Sequence, residues 1–191
     1  DPYEQTWRRL DALKKNGHPI DKVELIIKGG TWNSYPITYQ YWFIARCFEA
    51  CNRTRKSTVS EKMSLEDLRT QMVKIQKKNE MAKHRIIGLT LETRPDFINK
   101  KTIDAMREMG TTRIEIGVQH LDPKIMEMTK RGHGLKETVE ATKLLRQHGF
   151  KVDFHLMPQL PGSTPTKDLK MLRQIFSDPR LRPDMIKIYP C

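Results

Sequence analysis

Cysteine is scarce in this chain: Cys47, Cys51 and Cys191 are the only three among 191 residues. Three so placed cannot build a disulfide framework, which points to a reducing, cytoplasmic setting. Cys47 and Cys51 stand four apart with no third cysteine or histidine beside them, which argues against a metal site there. Long apolar runs are missing too. No stretch approaches the ~20 apolar residues that cross a bilayer, and the start lacks the layout of a signal peptide. These absences set aside a membrane protein and a disulfide-stapled secreted one. What remains is a chain of one sizeable core, a single domain over 1–191, with 37% hydrophobic and 30% charged residues.

Acidic charge is also short. Against 35 Lys and Arg there are 23 Asp and Glu, for a net charge of +12. A surplus of that size favours a polyanionic partner, of which nucleic acid is the commonest for such a protein. The excess is not evenly spread. Between Arg53 and Lys83 there are nine basic residues against four acidic ones. Ser64 and Asp67 make a capping-box pattern there for a helix through Leu65, Leu68, Met72 and Ile75. The stretch is expected to be an exposed, mobile basic helix inserted at about 53–83, with either solvent or phosphate facing it.

The remaining pattern is a repeat of strand and helix. Asp1 as N-cap with Pro2 behind it opens a helix over 2–16. Val23 to Ile27 is a nearly unbroken apolar run, expected to be a strand covered on both faces, and it ends in Lys28-Gly29-Gly30-Thr31. An aromatic-rich helix over 38–51 follows. Strands are then predicted at 86–91, 113–118, 152–157 and 185–189, with helices at 99–109, 135–148 and 164–176, and a short one opened by Asp122-Pro123. Five strands alternating with helices imply a parallel α/β sheet, either open or part of a barrel.

The chemistry-bearing residues collect where strands stop, the end at which such folds hold ligands. Gly29 and Gly30 leave bare backbone N–H groups for a polar ligand to approach. The second strand runs into Glu92-Thr93-Arg94-Pro95-Asp96. The third reads Arg113-Ile114-Glu115-Ile116-Gly117-Val118-Gln119, in which simple alternation puts Glu115 and Gln119 on one face. Arg131-Gly132-His133 follows, and the fourth strand carries His155 before Met157-Pro158-Gln159-Leu160-Pro161-Gly162. Convergent Glu, Gln, Arg and His suit a zwitterionic, hydroxylated, nucleoside-like ligand: Arg for a carboxylate, Glu for an ammonium, Gln for ribose hydroxyls. Each also has a plainer reading, Glu115 pairing with Arg113 and His155 as a hydrogen-bonded core histidine.

Taken together these motifs resemble radical S-adenosylmethionine enzymes, and more closely the Elongator catalytic subunit family of tRNA wobble-uridine carboxymethyluridine synthases. Asp1-Pro2-Tyr3-Glu4-Gln5 and Asp21-Lys22-Val23-Glu24 belong to the same likeness. The resemblance implies a partial (β/α) TIM-like barrel of about five parallel strands, with the first strand and its cluster loop missing. It implies S-adenosylmethionine held by Gly29, Gly30, Thr31, Glu92, Gln119, Arg131 and His155, and Lys22 in contact with acetyl-CoA. It implies a 4Fe-4S cluster whose cysteine ligands lie outside this chain, which alone should not complete a turnover. It further implies tRNA as substrate, and other Elongator subunits or a second copy as partners. Two rival readings stand beside it: an RNA-binding module with no chemistry, and a (β/α) metabolic enzyme taking a sugar phosphate at the Gly-Gly turn.

Overall fold

The computed structural model describes residues 1–54 and 56–191; Arg55, within the basic stretch, lies outside the described residues. The elements run α1 (Pro2–Lys15), β1 (Lys22–Ile27), α2 (Ile37–Cys51), α3 (Leu65–Asn79), β2 (Arg85–Thr93), α4 (Lys100–Glu108), β3 (Arg113–Gln119), α5 (Pro123–Met128), α6 (Leu135–Gln147), β4 (Lys151–Leu156), α7 (Pro165–Ser177) and β5 (Met185–Ile188). Single 3₁₀ turns at Trp32–Ser34 and Pro95–Phe97 follow β1 and β2. The strands form one parallel sheet in sequence order, β1-β2-β3-β4-β5. Every predicted strand and helix is present, with ends that coincide or differ by at most two residues.

The chain divides into two compact units. The first comprises Asp1–Ile27, Trp32–Thr90 and Asp104–Thr111. Asp1 caps α1, its Oδ1 accepting from Tyr3 N at 2.7 Å with Pro2 in the first turn. The aromatic residues of α2 are core as expected, Tyr41 being fully buried. The Tyr41 hydroxyl donates to Glu108, which also takes Arg69 at 2.8 Å, and burial pushes the phenol up to about 12. Ser64 caps α3, accepting from Asp67 N at 3.1 Å.

Two expectations fail in this unit. Helix α3 is not exposed throughout: Leu68, Met72 and Ile75 are buried and the helix packs on α2. Its apolar residues recur at a spacing that makes one continuous stripe, and burying a stripe outweighs the repulsion of lysines that can all point the other way. Strand β1 is not covered on both faces. Lys22, Glu24 and Ile26 are exposed while Val23, Leu25 and Ile27 are half-buried. The period-two alternation of Lys22 and Glu24 was the stronger signal.

The second unit comprises Lys28–Thr31, Leu91–Ile103 and Thr112–Cys191. Strands β3 and β4 pair in parallel, Arg113 opposite Lys151 through Ile116 opposite Phe154, and β4 pairs with β5, His155 opposite Lys187. Ile114, Ile116, Val118, Val152, Phe154 and Leu156 are fully buried. The alternate residues Glu115, Asp153 and His155 are buried as well. One face of these strands is therefore apolar and the other is a buried polar row, which must satisfy its own hydrogen bonds.

Candidate functional site

The polar row is built by register. Placing Glu115 opposite Asp153 and His155 opposite Lys187 sets Glu115, His155 and Lys187 on the same side of the sheet. His155 Nε2 lies 2.7 Å from Glu115 Oε2, and its Nδ1 lies 3.3 Å from Glu92 Oε1. Lys187 donates from Nζ to the other oxygen of Glu115. Burial alone would raise the Glu115 carboxyl, but Lys187 and His155 outweigh it and hold the group below the ordinary carboxylate value. Burial pulls on the Lys187 ammonium in the opposite sense, and Glu115 keeps it above the ordinary lysine value. The Arg113 guanidinium binds Asp153 at 2.8 Å.

The row stays open at Glu92, whose side chain keeps a quarter of its surface exposed. Two carboxylates face one ammonium and one imidazole. Glu92, Glu115 and His155 also bring three potential ligand atoms within 4.8 Å of one another, the only such group among the described residues. Lys187 already supplies Glu115 with a cation, so the unmet negative charge is on Glu92.

Beyond Ile116 the β3–β4 register shifts, and Gln119, with φ +67°, pairs with Leu156. The bulge breaks the alternation that would have put Gln119 beside Glu115, and it re-aims the side chain. Gly117 makes this possible: a Cβ there would stand 2.9 Å from Gln119 Nε2 and 3.7 Å from Thr93 O. Gln119, Gly117, Arg94, Arg131, Met157 and Cys191 line a cavity of about 290 Å³. Arg131 Nη2 donates to Met157 Sδ at 3.3 Å, and none of the described carboxylates pairs with it. Arg94 is different, being paired with Asp96 at 2.7 Å.

His133 is buried and lines the same cavity. Its Nε2 lies 2.9 Å from Gly117 O and its Nδ1 3.1 Å from Arg131 O, so it ties the β3 bulge to the Arg131 loop. Both of its ring nitrogens face backbone carbonyls. Burial also holds its imidazole below the ordinary value.

Of the residues expected at the site, Glu92 and His155 meet directly, and Gln119 and Arg131 line one cavity. Gly29, Gly30 and Thr31 belong to the same compact unit. The two glycines have φ of +125° and +112° with open space where a Cβ would point. Lys22 opens β1 in the other unit. Five residue steps of strand put it roughly 17 Å from the carboxyl end of that strand. Sequence reasoning passed over Lys187 and Gly117. A lysine inside the apolar run Met185–Ile188 was the available signal for the first; the second needed the bulge.

A zwitterionic nucleoside fits these groups: a guanidinium without a carboxylate, an amide, and an open carboxylate. Cys47 and Cys51 are buried in α2, and burial pushes their thiols up to about 11 and about 12. Among the described residues no helix is long and apolar enough to cross a membrane.

Residues 38–175 match the radical SAM superfamily. The chain belongs to that superfamily. It is 48% identical over all 191 residues to a tRNA uridine(34) acetyltransferase of Methanocaldococcus infernus, covering 33% of that protein. It is 36% identical over 190 residues to human Elongator complex protein 3, covering 32% of it. Among solved structures, the archaeal M. infernus Elp3 with an N-terminal deletion superposes on the whole chain with a TM-score of 0.90 at 49% identity, over 42% of that chain. This bears out the α/β, partial (β/α)-barrel fold. The chain spans about a third of the length of the curated relatives it matches.

Proposed function

We propose that this chain is the S-adenosylmethionine-binding core of a radical enzyme that carboxymethylates C5 of the wobble uridine of tRNA, with acetyl-CoA as co-substrate. On this reading 1–191 is one barrel core with its basic insert, working in the cytoplasm on tRNA within an Elongator-type assembly. The observation that carries it is the Arg131 guanidinium, unpaired with any described carboxylate at the lip of a 290 Å³ cavity that Gln119 also lines. The names of the relatives support the substrate.

The residues divide the work by charge. Arg131 takes the ligand's carboxylate, Glu92 its ammonium, and Gln119 the ribose hydroxyls. His155, locked between Glu115 and Glu92 and backed by Lys187, fixes where the Glu92 carboxylate points. Gly29, Gly30 and Thr31 present backbone N–H groups to the methionine part. When bound and reduced by a 4Fe-4S cluster, S-adenosylmethionine supplies the radical chemistry; this chain binds, orients and excludes water. Lys22 contacts acetyl-CoA, and the α3 lysines face tRNA phosphates.

Calorimetric titration of the protein with S-adenosylmethionine tests the reading. Reversing the charge at Glu92 should abolish cofactor binding and leave tRNA affinity nearly intact. Undiminished cofactor binding by Glu92→Lys or Arg131→Ala would end the assignment.

A further inference from the structure

Two described arginines lie in the basic stretch of 53–83. Arg69 is spent on Glu108 at 2.8 Å. Arg53 pairs with none of the described carboxylates, and it is held in place by other means.

Arg53 stands just past the last turn of α2. Its N–H donates to Ala50 O at 3.1 Å and that of Thr54 to Glu49 O at 3.0 Å, which closes the helix. The φ of Arg53 is +53°, a left-handed conformation that glycine takes without strain and an arginine does not. A side chain kept at such a position needs a reason. Here it is fixed at two points. Nε donates to His84 Nε2 at 3.1 Å. The guanidinium lies over the Trp7 ring, 5.2 Å from its centroid. His84 is fully buried, and its Nδ1 lies 2.6 Å from Ile20 O. A carbonyl can only accept, so Nδ1 carries the hydrogen and Nε2 is left to accept. The imidazole therefore has one orientation, and it takes the Arg53 Nε–H.

This anchoring uses one guanidinium nitrogen of three. Nη1 and Nη2 make no hydrogen bond or ion pair with any described residue, and Arg53 is exposed. They form the two-pronged edge with which arginine grips a phosphate. Held at Nε and across one face, the guanidinium has given up its rotamer freedom before a ligand arrives, so binding costs less entropy than at a mobile lysine. The surrounding charge agrees: the stretch that Arg53 opens carries nine basic residues against four acidic ones, a field suited to a uniformly charged backbone.

We propose that Arg53 is a phosphate clamp for RNA, its Nη edge taking one phosphodiester bidentately, with His84 as its positioning residue. The proposal rests on the tRNA reading above and assigns one contact within it.

Fluorescence anisotropy of an RNA stem-loop with the full chain, over a series of salt concentrations, tests this. Arg53→Gln should weaken binding about tenfold and lower the slope of log K against log salt by about one phosphate contact. Arg53→Lys keeps the charge but not the fork; it should keep the slope and lose about threefold in affinity. His84→Gln should behave as Arg53→Lys does, and the exposed Arg53 variants carry the test if that buried substitution does not fold. In stem-loops with single neutral methylphosphonate linkages, one linkage should weaken the wild type and leave Arg53→Gln unaffected. S-adenosylmethionine affinity should not change in Arg53→Gln, which separates a lost clamp from a lost fold. RNA binding by the wild type with the same affinity and slope in Arg53→Gln would overturn the clamp and leave the tRNA reading standing. No RNA binding by the wild type would end both. Polyglutamate bound as tightly as the RNA, with the same dependence on Arg53, would assign the guanidinium to an acidic protein and overturn the proposal as well.

Discussion

His155 Nε2 lies 2.7 Å from Glu115 Oε2, and neither side chain has more than a few per cent of its surface exposed. This contact fixes the ring whose other nitrogen faces Glu92, the carboxylate assigned to the ligand's ammonium. A buried ion pair of this kind adds little net stability, yet removing one partner leaves the other stranded. Glu115 is therefore a support whose loss should be felt in two places at once.

Glu115→Gln should cost about 3 kcal/mol in urea unfolding, the usual penalty for breaking a buried pair. The pH dependence has a definite sign. Glu115 sits below its ordinary value of 4.5 in the folded protein, so its contribution is full above that value and is lost as pH falls through the folded one. Lys187 sits above its ordinary value of 10.5; its contribution is full below that value and fades as pH rises through the folded one. Stability curves of the wild type and Glu115→Gln should differ most between these limits and converge in acid. A constant offset down to the acid limit would contradict the pairing.

Arg131→Ala should weaken S-adenosylmethionine binding by about ten- to a hundredfold, the range for a lost charged hydrogen bond. Unfolding stability should move by less than about 1 kcal/mol, because the guanidinium's described polar contact is only the sulfur of Met157. A large drop in melting temperature with unchanged affinity would make Arg131 a structural residue instead.

Gly117→Ala places a methyl 2.9 Å from Gln119 Nε2. The obstructing atom ends a flexible side chain, so the backbone should hold and Gln119 should swing away. Cofactor affinity is expected to fall several-fold with little loss of stability. Combined with Gln119→Ala, the effect should not add, since both remove one contact. Full additivity in that double-mutant cycle would show that Gly117 acts elsewhere.

Helix α3 should separate folding from docking. Leu68→Ala, at a fully buried position, should cost about 2–4 kcal/mol. Lys74→Glu with Lys78→Glu, both exposed, should leave stability nearly unchanged. If this helix meets tRNA, the doubly substituted protein should lose affinity and its salt slope should fall by roughly two phosphate contacts. An unchanged slope would place the docking surface elsewhere.

The order and kind of the elements were written in local chemistry: Asp1 and Ser64 as caps, Gly110 and Gly149 just past helix ends, and the even-numbered apolar residues of β3 and β4. The strand-end positions of Glu92 and Gln119 were legible for the same reason, because strands of a parallel sheet stop on one side. The sequence could not say which polar side chains would meet. That Glu115 joins His155 and Lys187, and that Arg113 goes to Asp153, depends on the register between strands distant in sequence, and one bulged residue at Gly117 changes where Gln119 points. The roles of His133 and α3 turned on burial, which is a property of neighbours that local periodicity does not name.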